Sequence, residues 1–241
     1  YFVGSNVVAA HHDDLATLAR FMKPLGICAR HGPNFSTGLF YVADEQSHTI
    51  RMFTTPVGNV TTVAGVPTIA GSGPDGYNSM LSLPRGVAVS TLFLYIVETG
   101  GAMVRRMSLA DGFVTLIAGS SPGFSEGTGT AASFNFPCGV AVDTMDDDVV
   151  FVADQNNNMI RRLQVAANAT SADVTRVAGA LIPGVTDDAL GDEGRFYGPA
   201  GLAMDRSGNL LVADQQNGAI RLVHIPRPTA TTTTTMSLTT S

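Results

Sequence analysis

Short runs of β-branched and small apolar residues, broken by Gly, Pro, Asn and Asp, fill this chain, and no stretch keeps the period of an amphipathic helix. One run, Tyr41-Val42-Ala43-Asp44, is followed at fixed distance by Ile50-Arg51. The pattern returns as Ile96-Val97-Glu98 with Val104-Arg105, as Val152-Ala153-Asp154 with Ile160-Arg161, and as Val212-Ala213-Asp214 with Ile220-Arg221. In every copy the acid stands six residues before the aliphatic and seven before the arginine. The acids recur at intervals of 54, 56 and 60 residues. Such repetition marks one supersecondary unit used repeatedly.

Each unit extends beyond its hairpin. Ahead of it lies a Pro-x-Gly strand, beginning at Pro24, Pro84, Pro137 and Pro199. Behind it comes Val63-Ala64-Gly65, Ile117-Ala118-Gly119 or Val177-Ala178-Gly179, each after a short Val-Thr run. Phe21, Phe134 and Phe196 stand three residues before their prolines, with Leu81 in the remaining copy. Four strands per unit at this repeat length predict a propeller blade. The small, apolar Pro-x-Gly run fits the crowded innermost strand, followed outward by the acid strand, the arginine strand and the Val-Ala-Gly strand. Asn- and Gly-rich spans such as Gln155-Asn156-Asn157-Asn158 predict the turn between the second and third strands.

At these residues the chain resembles the NHL-repeat family, in the subtype with a Val-Thr-x-Leu-Ala-Gly strand and an Ala-x-Phe-Asn-x-Pro-x-Gly loop. Ser133-Phe134-Asn135-Phe136-Pro137-Cys138-Gly139 carries the last signature. The resemblance implies an all-β, NHL-type β-propeller-like array of four-stranded blades, four units over residues 1–226, with a Thr/Pro-rich tail or linker over 227–241. Propellers of this family commonly have six blades, so this chain fits within a larger ring. The last unit lacks a Val-Ala-Gly strand, while Tyr1-Phe2-Val3-Gly4-Ser5 reads as an outer strand without its blade. A clasp within one chain, head-to-tail completion of a neighbour's blade, and truncation of a longer protein are the open readings.

With 14 basic and 20 acidic residues the net charge is −6, which argues against a nucleic-acid backbone as partner. No run is long and apolar enough for a membrane span. The chain opens inside a repeat with neither initiator Met nor signal peptide, the expectation for a processed or partial product. Cys28 occupies the slot held by Ala88, Ala141 and Ala203 in the other inner strands, and Cys138 lies in a different unit, so no bridge is expected.

Past Pro226 the composition shifts to threonine. Thr229, Thr231, Thr232, Thr233, Thr234 and Thr235 read as O-glycosylation candidates on a stalk-like tail. Three sequons place Asn34, Asn59 and Asn168 in predicted turns or loops as N-glycosylation candidates. Tail and sequons point to an extracellular or cell-surface location.

The repeated acids and arginines pair within the sequence as Asp44 with Arg51, Glu98 with Arg105, Asp154 with Arg161 and Asp214 with Arg221. A fixed offset across one hairpin favours a structural contact inside each blade over a catalytic ring, because a catalytic acid is needed once. His11, His12, His31, His48 and His224 are the only histidines, and His48 is expected solvated in a turn. The resemblance to propeller lyases and lactonases would need ligands at several inner-strand ends, where this chain offers mainly Val, Ala, Met and Leu. The glycine-rich Gly123–Gly129 segment, with Asp75-Gly76 and 187–194 as its relatives, reads as a turn in the inter-blade loop. No catalytic residue, metal or cofactor is assigned. The expected function is a non-catalytic module that binds protein or glycan or assembles through its terminal blades. The alternative is a propeller lyase, lactonase or esterase with a metal in its channel.

Overall fold

The computed structural model describes residues 3–4, 9–15, 17–31, 38–56, 58–166, 170–187 and 194–226. Asn34, Asn168 and the tail from Arg227 lie outside them.

Four antiparallel sheets follow one another along the chain. Blade 1 is built from Pro24–His31, Gly38–Asp44, Thr49–Thr55 and Asn59–Ala64. Blade 2 comprises Pro84–Val89, Phe93–Glu98, Met103–Ser108 and Val114–Ala118. Blade 3 comprises Pro137–Val142, Val149–Asp154, Met159–Val165 and Ala172–Gly179. Blade 4 has three strands, Pro199–Met204, Leu210–Asp214 and Ala219–Val223. The arrangement is a four-blade β-propeller.

The Pro-x-Gly motif has a steric cause. A Cβ on Gly26 would lie 2.3 Å from the Arg85 carbonyl oxygen of the next blade. The same holds for Gly86 against Cys138 (2.2 Å) and Gly139 against Ala200 (1.9 Å). Only glycine lets successive innermost strands approach so closely. Gly201 ends the series, because the nearest atom to its Cβ is Ala213 of its own blade at 3.7 Å. The ring of inner strands therefore opens after blade 4.

Between blades, one face of each sheet buries against the opposite face of the next. Tyr95, Val97 and Val104 of blade 2 share a core with Val150, Val152 and Leu163 of blade 3, sealed by Ala132 and Phe134 from the connecting loop. Phe151, Ala153 and Ile160 of blade 3 join Leu210, Val212 and Val223 of blade 4, sealed by Phe196. Burying each such large side chain contributes roughly 1.5–3 kcal/mol, so the blade interfaces are the core.

Second and third strands are joined by a 3-10 turn and one left-handed residue. These residues are His48 (φ 59°), Asn158 (φ 55°) and Gly218 (φ 63°) in blades 1, 3 and 4. In blade 2 Ala102 (φ 51°) takes that place.

Two departures from the sequence reading concern the edges. Asn59, expected in a loop, is the first residue of the outer strand of blade 1, with its side chain exposed. Gly127-Thr128, expected as plain loop, forms a two-residue strand against Asp173 and Val174 of blade 3. Asp14-Leu15 does the same against Asn59 and Val60 of blade 1, and Gly76 bridges to Val114 in blade 2. Each connecting segment thus satisfies the outer strand's otherwise unpaired backbone.

Candidate functional site

The charged residues converge on one place in each blade, where the hairpin meets the loop arriving from the preceding blade. In blade 3 the Asp154 carboxylate accepts the backbone N–H of Asn135 at 2.7 Å, the Asn157 amide at 2.8 Å and Nη1 of Arg161 at 2.9 Å. Arg161 also donates to the carbonyls of Ser133 (3.2 Å) and Ser125 (2.8 Å). Its guanidinium lies over the Phe134 ring, 5.4 Å from the centroid. Both charges are fully buried.

Blade 4 repeats the arrangement. Asp214 accepts from Tyr197 N–H, Asn217 and Arg221, and Arg221 donates to the carbonyls of Arg195 and Thr186 and covers Phe196 at 4.9 Å. In blade 1 Asp44 accepts the N–H groups of Met22 and Lys23, while Arg51 reaches the carbonyls of Arg20 and His12 over Phe21. Its contact with Asp44 is looser, at 3.6 Å. Blade 2 substitutes the longer Glu98, which meets Nε of Arg105 at 2.5 Å and the Ser82 N–H at 2.5 Å. Leu81 offers no aromatic face there, and Arg105 donates to the Ser79 hydroxyl instead. Every centre ties the loop before the Pro-x-Gly strand to its hairpin. Burial pushes the Asp154 and Glu98 carboxyls above the ordinary range, against the pull of Arg161 and Arg105.

In blades 1, 2 and 4 a second acid joins the arginine from the loop, and in blade 3 a loop acid meets the outer strand. Asp13 contacts Arg51 at 2.5 Å and accepts the N–H of Thr62 in the outer strand. Asp75 lies 3.6 Å from Arg105 and accepts the N–H of Leu116. Glu126 accepts the N–H of Arg176. Asp187 contacts Arg221 at 2.5 Å, and among the described residues no outer strand of blade 4 is there to meet it. Asp75, Glu126 and Asp187 lie in segments that the sequence reading grouped as inter-blade turns without reading their contacts, and Asp13 has no glycine-rich turn beside it.

His48 is half-buried and has a partner within the protein. Its Nδ1 accepts the Leu83 backbone N–H at 3.1 Å, because the left-handed turn residue points across the blade junction. Asn158 does the same for Gly198 at 3.0 Å. His11 lies between the Ser47 and Thr62 hydroxyls, and burial followed by the Arg51 charge lowers its pKa. Cys28 and Cys138 are free thiols, pushed by burial up to about 12 and about 11.

Two cavities accompany these centres. The channel mouth, about 400 Å³, is formed by the four inner strands, with Leu25, Ile27, Val87, Val140 and Leu202 around Arg85. A larger cleft of about 900 Å³ lies where a fourth strand of blade 4 would run, between Arg176 and Val177 on one side and Phe196, Ile220, Arg221 and Leu222 on the other. Among the described residues no group of three or more His, Cys, Asp and Glu is placed to hold a metal ion. No helix among them is long and apolar enough to cross a membrane.

No protein-family model matches the chain. The chloroplastic protein SUPPRESSOR OF QUENCHING 1 of Arabidopsis thaliana is 29% identical over 140 residues, 54% of this chain and 13% of that protein. NHL repeat-containing protein 2 of Homo sapiens is 26% identical over 249 aligned residues, 88% of this chain and 32% of that protein. This chain therefore spans less than a third of the length of either relative. Among solved structures, an auxiliary nutrient binding protein from Bacteroides thetaiotaomicron superposes with a TM-score of 0.60 at 16% identity, over 86% of this chain and 49% of that one. At that identity the likeness is one of fold. The chain is weakly homologous to NHL repeat-containing protein 2 and folds as four propeller blades.

Proposed function

We propose that the chain is a non-catalytic interaction module of the cell exterior, recognising polypeptide or glycan or building an assembly. The observation that carries the reading is the uncovered side of blade 4. Ile220 is 72% exposed, Leu222 48% and Leu211 37%, beside a strand whose outer edge has no partner among the described residues. Contiguous exposed apolar side chains next to an open edge are the surface features that proteins bind through. The repeated acids and arginines support the same reading, since each is committed to holding its own blade together. On this reading Asp44, Arg51, Glu98, Arg105, Asp154, Arg161, Asp214 and Arg221 are structural pairs. The exposed Asn59 and the threonine tail carry the extracellular part of the proposal, as sites for sugar.

Probing glycan and surface-protein arrays with the purified chain tests the binding role. Specific binding lost in Ile220→Glu is the expected result. A stoichiometric divalent metal retained through purification would instead favour an enzyme with a metal in the channel. Intact mass of material from the natural source tests the sugar: a mass equal to the bare polypeptide would remove the support for an exterior location.

A further inference from the structure

The middle residue of the Pro-x-Gly motif borders the channel mouth in every blade. In blades 1, 3 and 4 it is Leu25, Cys138 or Ala200, and in blade 2 it is Arg85. The residue ahead of the proline is Lys23, Leu83, Phe136 or Gly198. Leu83, Phe136 and Gly198 take left-handed backbone, at φ 48°, 56° and 63°. Glycine adopts that conformation readily, whereas a bulky side chain there is uncommon. Blade 3 nevertheless keeps Phe136, 39% exposed, and the Arg85 guanidinium of blade 2 lies over its ring, 5.2 Å from the centroid. Two departures from the repeat thus meet across one junction.

That junction is held by backbone. Gly86 approaches the Cys138 carbonyl, and the Thr99 hydroxyl donates to the Pro137 carbonyl at 2.6 Å. Arg51, Arg105, Arg161 and Arg221 each meet the acid of their own hairpin. Arg85 has no acid partner among the described residues. Its cation borders a cavity of about 400 Å³ whose walls include Leu25, Ile27, Val87, Val140 and Leu202. A guanidinium resting on an aromatic ring keeps its planar fork of N–H donors, which suits a carboxylate through two hydrogen bonds. An apolar pocket with one placed charge is the usual form of a small-molecule site.

We propose that the channel mouth binds a small carboxylic acid with an apolar body. The carboxylate sits on Arg85, with Phe136 backing the guanidinium, and the hydrocarbon part lies among Ile27, Val87, Val140 and Leu202. Selectivity follows from the two halves of the site. An alcohol of the same length brings no charge to Arg85, and a bare oxyanion leaves the apolar walls in water. The site is separate from the apolar side of blade 4, and neither depends on the other.

Isothermal titration of the intact chain with hexanoate tests it, with 1-hexanol and inorganic phosphate as comparison probes. Titrating to about 10 mM reaches sites as weak as a millimolar Kd. Saturable one-to-one binding of hexanoate is expected, tighter than either comparison probe by about tenfold or more. Arg85→Leu installs the residue that blade 1 carries at this position, so the fold should be kept, and it should weaken hexanoate by about tenfold or more. Arg206→Leu removes the same charge from an exposed turn and should leave binding unchanged. No saturable binding of hexanoate, or equal binding of 1-hexanol or phosphate, overturns the proposal. So does undiminished binding in Arg85→Leu or an equal loss in Arg206→Leu. The three-probe comparison on the parent decides the matter without any variant, should Arg85→Leu fail to fold.

Discussion

Across the junction of blades 1 and 2, Nδ1 of His48 accepts the backbone N–H of Leu83 at 3.1 Å. Asn158 serves Gly198 in the same way at the junction of blades 3 and 4, so two unlike side chains perform one task from one backbone position. His48→Ala should cost about 1 kcal/mol, the loss of one partly buried hydrogen bond. His48→Asn should recover most of it, since Asn also tolerates the left-handed backbone. Urea denaturation of the three proteins gives the comparison.

His48 and His11 also set a pH dependence. Burial lowers the pKa of both below the usual imidazole value, with Arg51 adding to the effect on His11 and Glu45 opposing it on His48. The folded chain thus prefers both rings neutral. Their contribution is complete above the unfolded imidazole pKa of about 6.5 and is lost as pH falls through that value toward the lowered folded ones. The raised carboxyls of Asp154 and Glu98 act in the opposite sense, so the histidine part is read as a difference. The double variant His11→Gln, His48→Gln should lose less stability than the parent between pH 8 and pH 5 (about the span in which histidine titrates).

Arg161→Ala leaves the buried Asp154 and two carbonyls short of a donor, which should cost about 3 kcal/mol or more. Arg221→Ala should cost less, because Arg221 is 14% exposed and water can reach its partners. Thermal denaturation ranks the pair. Equal costs would show that edge exposure does not matter to the centre.

Gly86→Ala puts a methyl 2.2 Å from the Cys138 carbonyl and should destabilise by about 3 kcal/mol, since backbone must move. Gly201→Ala meets only Ala213 at 3.7 Å and should be close to neutral in the isolated chain. A large cost at Gly201 would mean that another inner strand lies against it.

Native thiols should resist alkylation at pH 8, because Cys28 titrates at about 12 and Cys138 at about 11. Mass spectrometry should find both labelled only after denaturation. Rapid labelling of either in the folded protein would contradict its burial.

The fold was legible because its rules are local. A Pro-x-Gly strand and a fixed acid-to-arginine offset place three strands without any knowledge of loop length. What the arginines bind besides their hairpin acid was not legible. Ser125 and Ser133 for Arg161, or Gly73 and Ser79 for Arg105, lie in loops of different length, where position in the repeat loses meaning. The contacts of Asp13, Asp75, Glu126 and Asp187 were hidden for that reason. The hydrogen bond of His48 to Leu83 was not legible either, because a turn residue with left-handed backbone can aim inward as easily as outward. The Phe-to-Leu change at Leu81 coincides with Arg105 taking the Ser79 hydroxyl in place of a ring.

The hydrogen-bond partners of Arg161 all lie within 36 residues of it along the chain. Each blade can therefore assemble its own ionic centre before the rest of the polypeptide arrives, and docking of neighbours can follow in either direction. Loop-closure entropy is spent in small instalments, so folding speed should depend on one blade and its junction more than on total length. The same locality makes loss of structure sequential. Amides of Ala219–Val223 should exchange first, and those between blades 2 and 3, whose shared core is covered on both sides, should set the slowest rate.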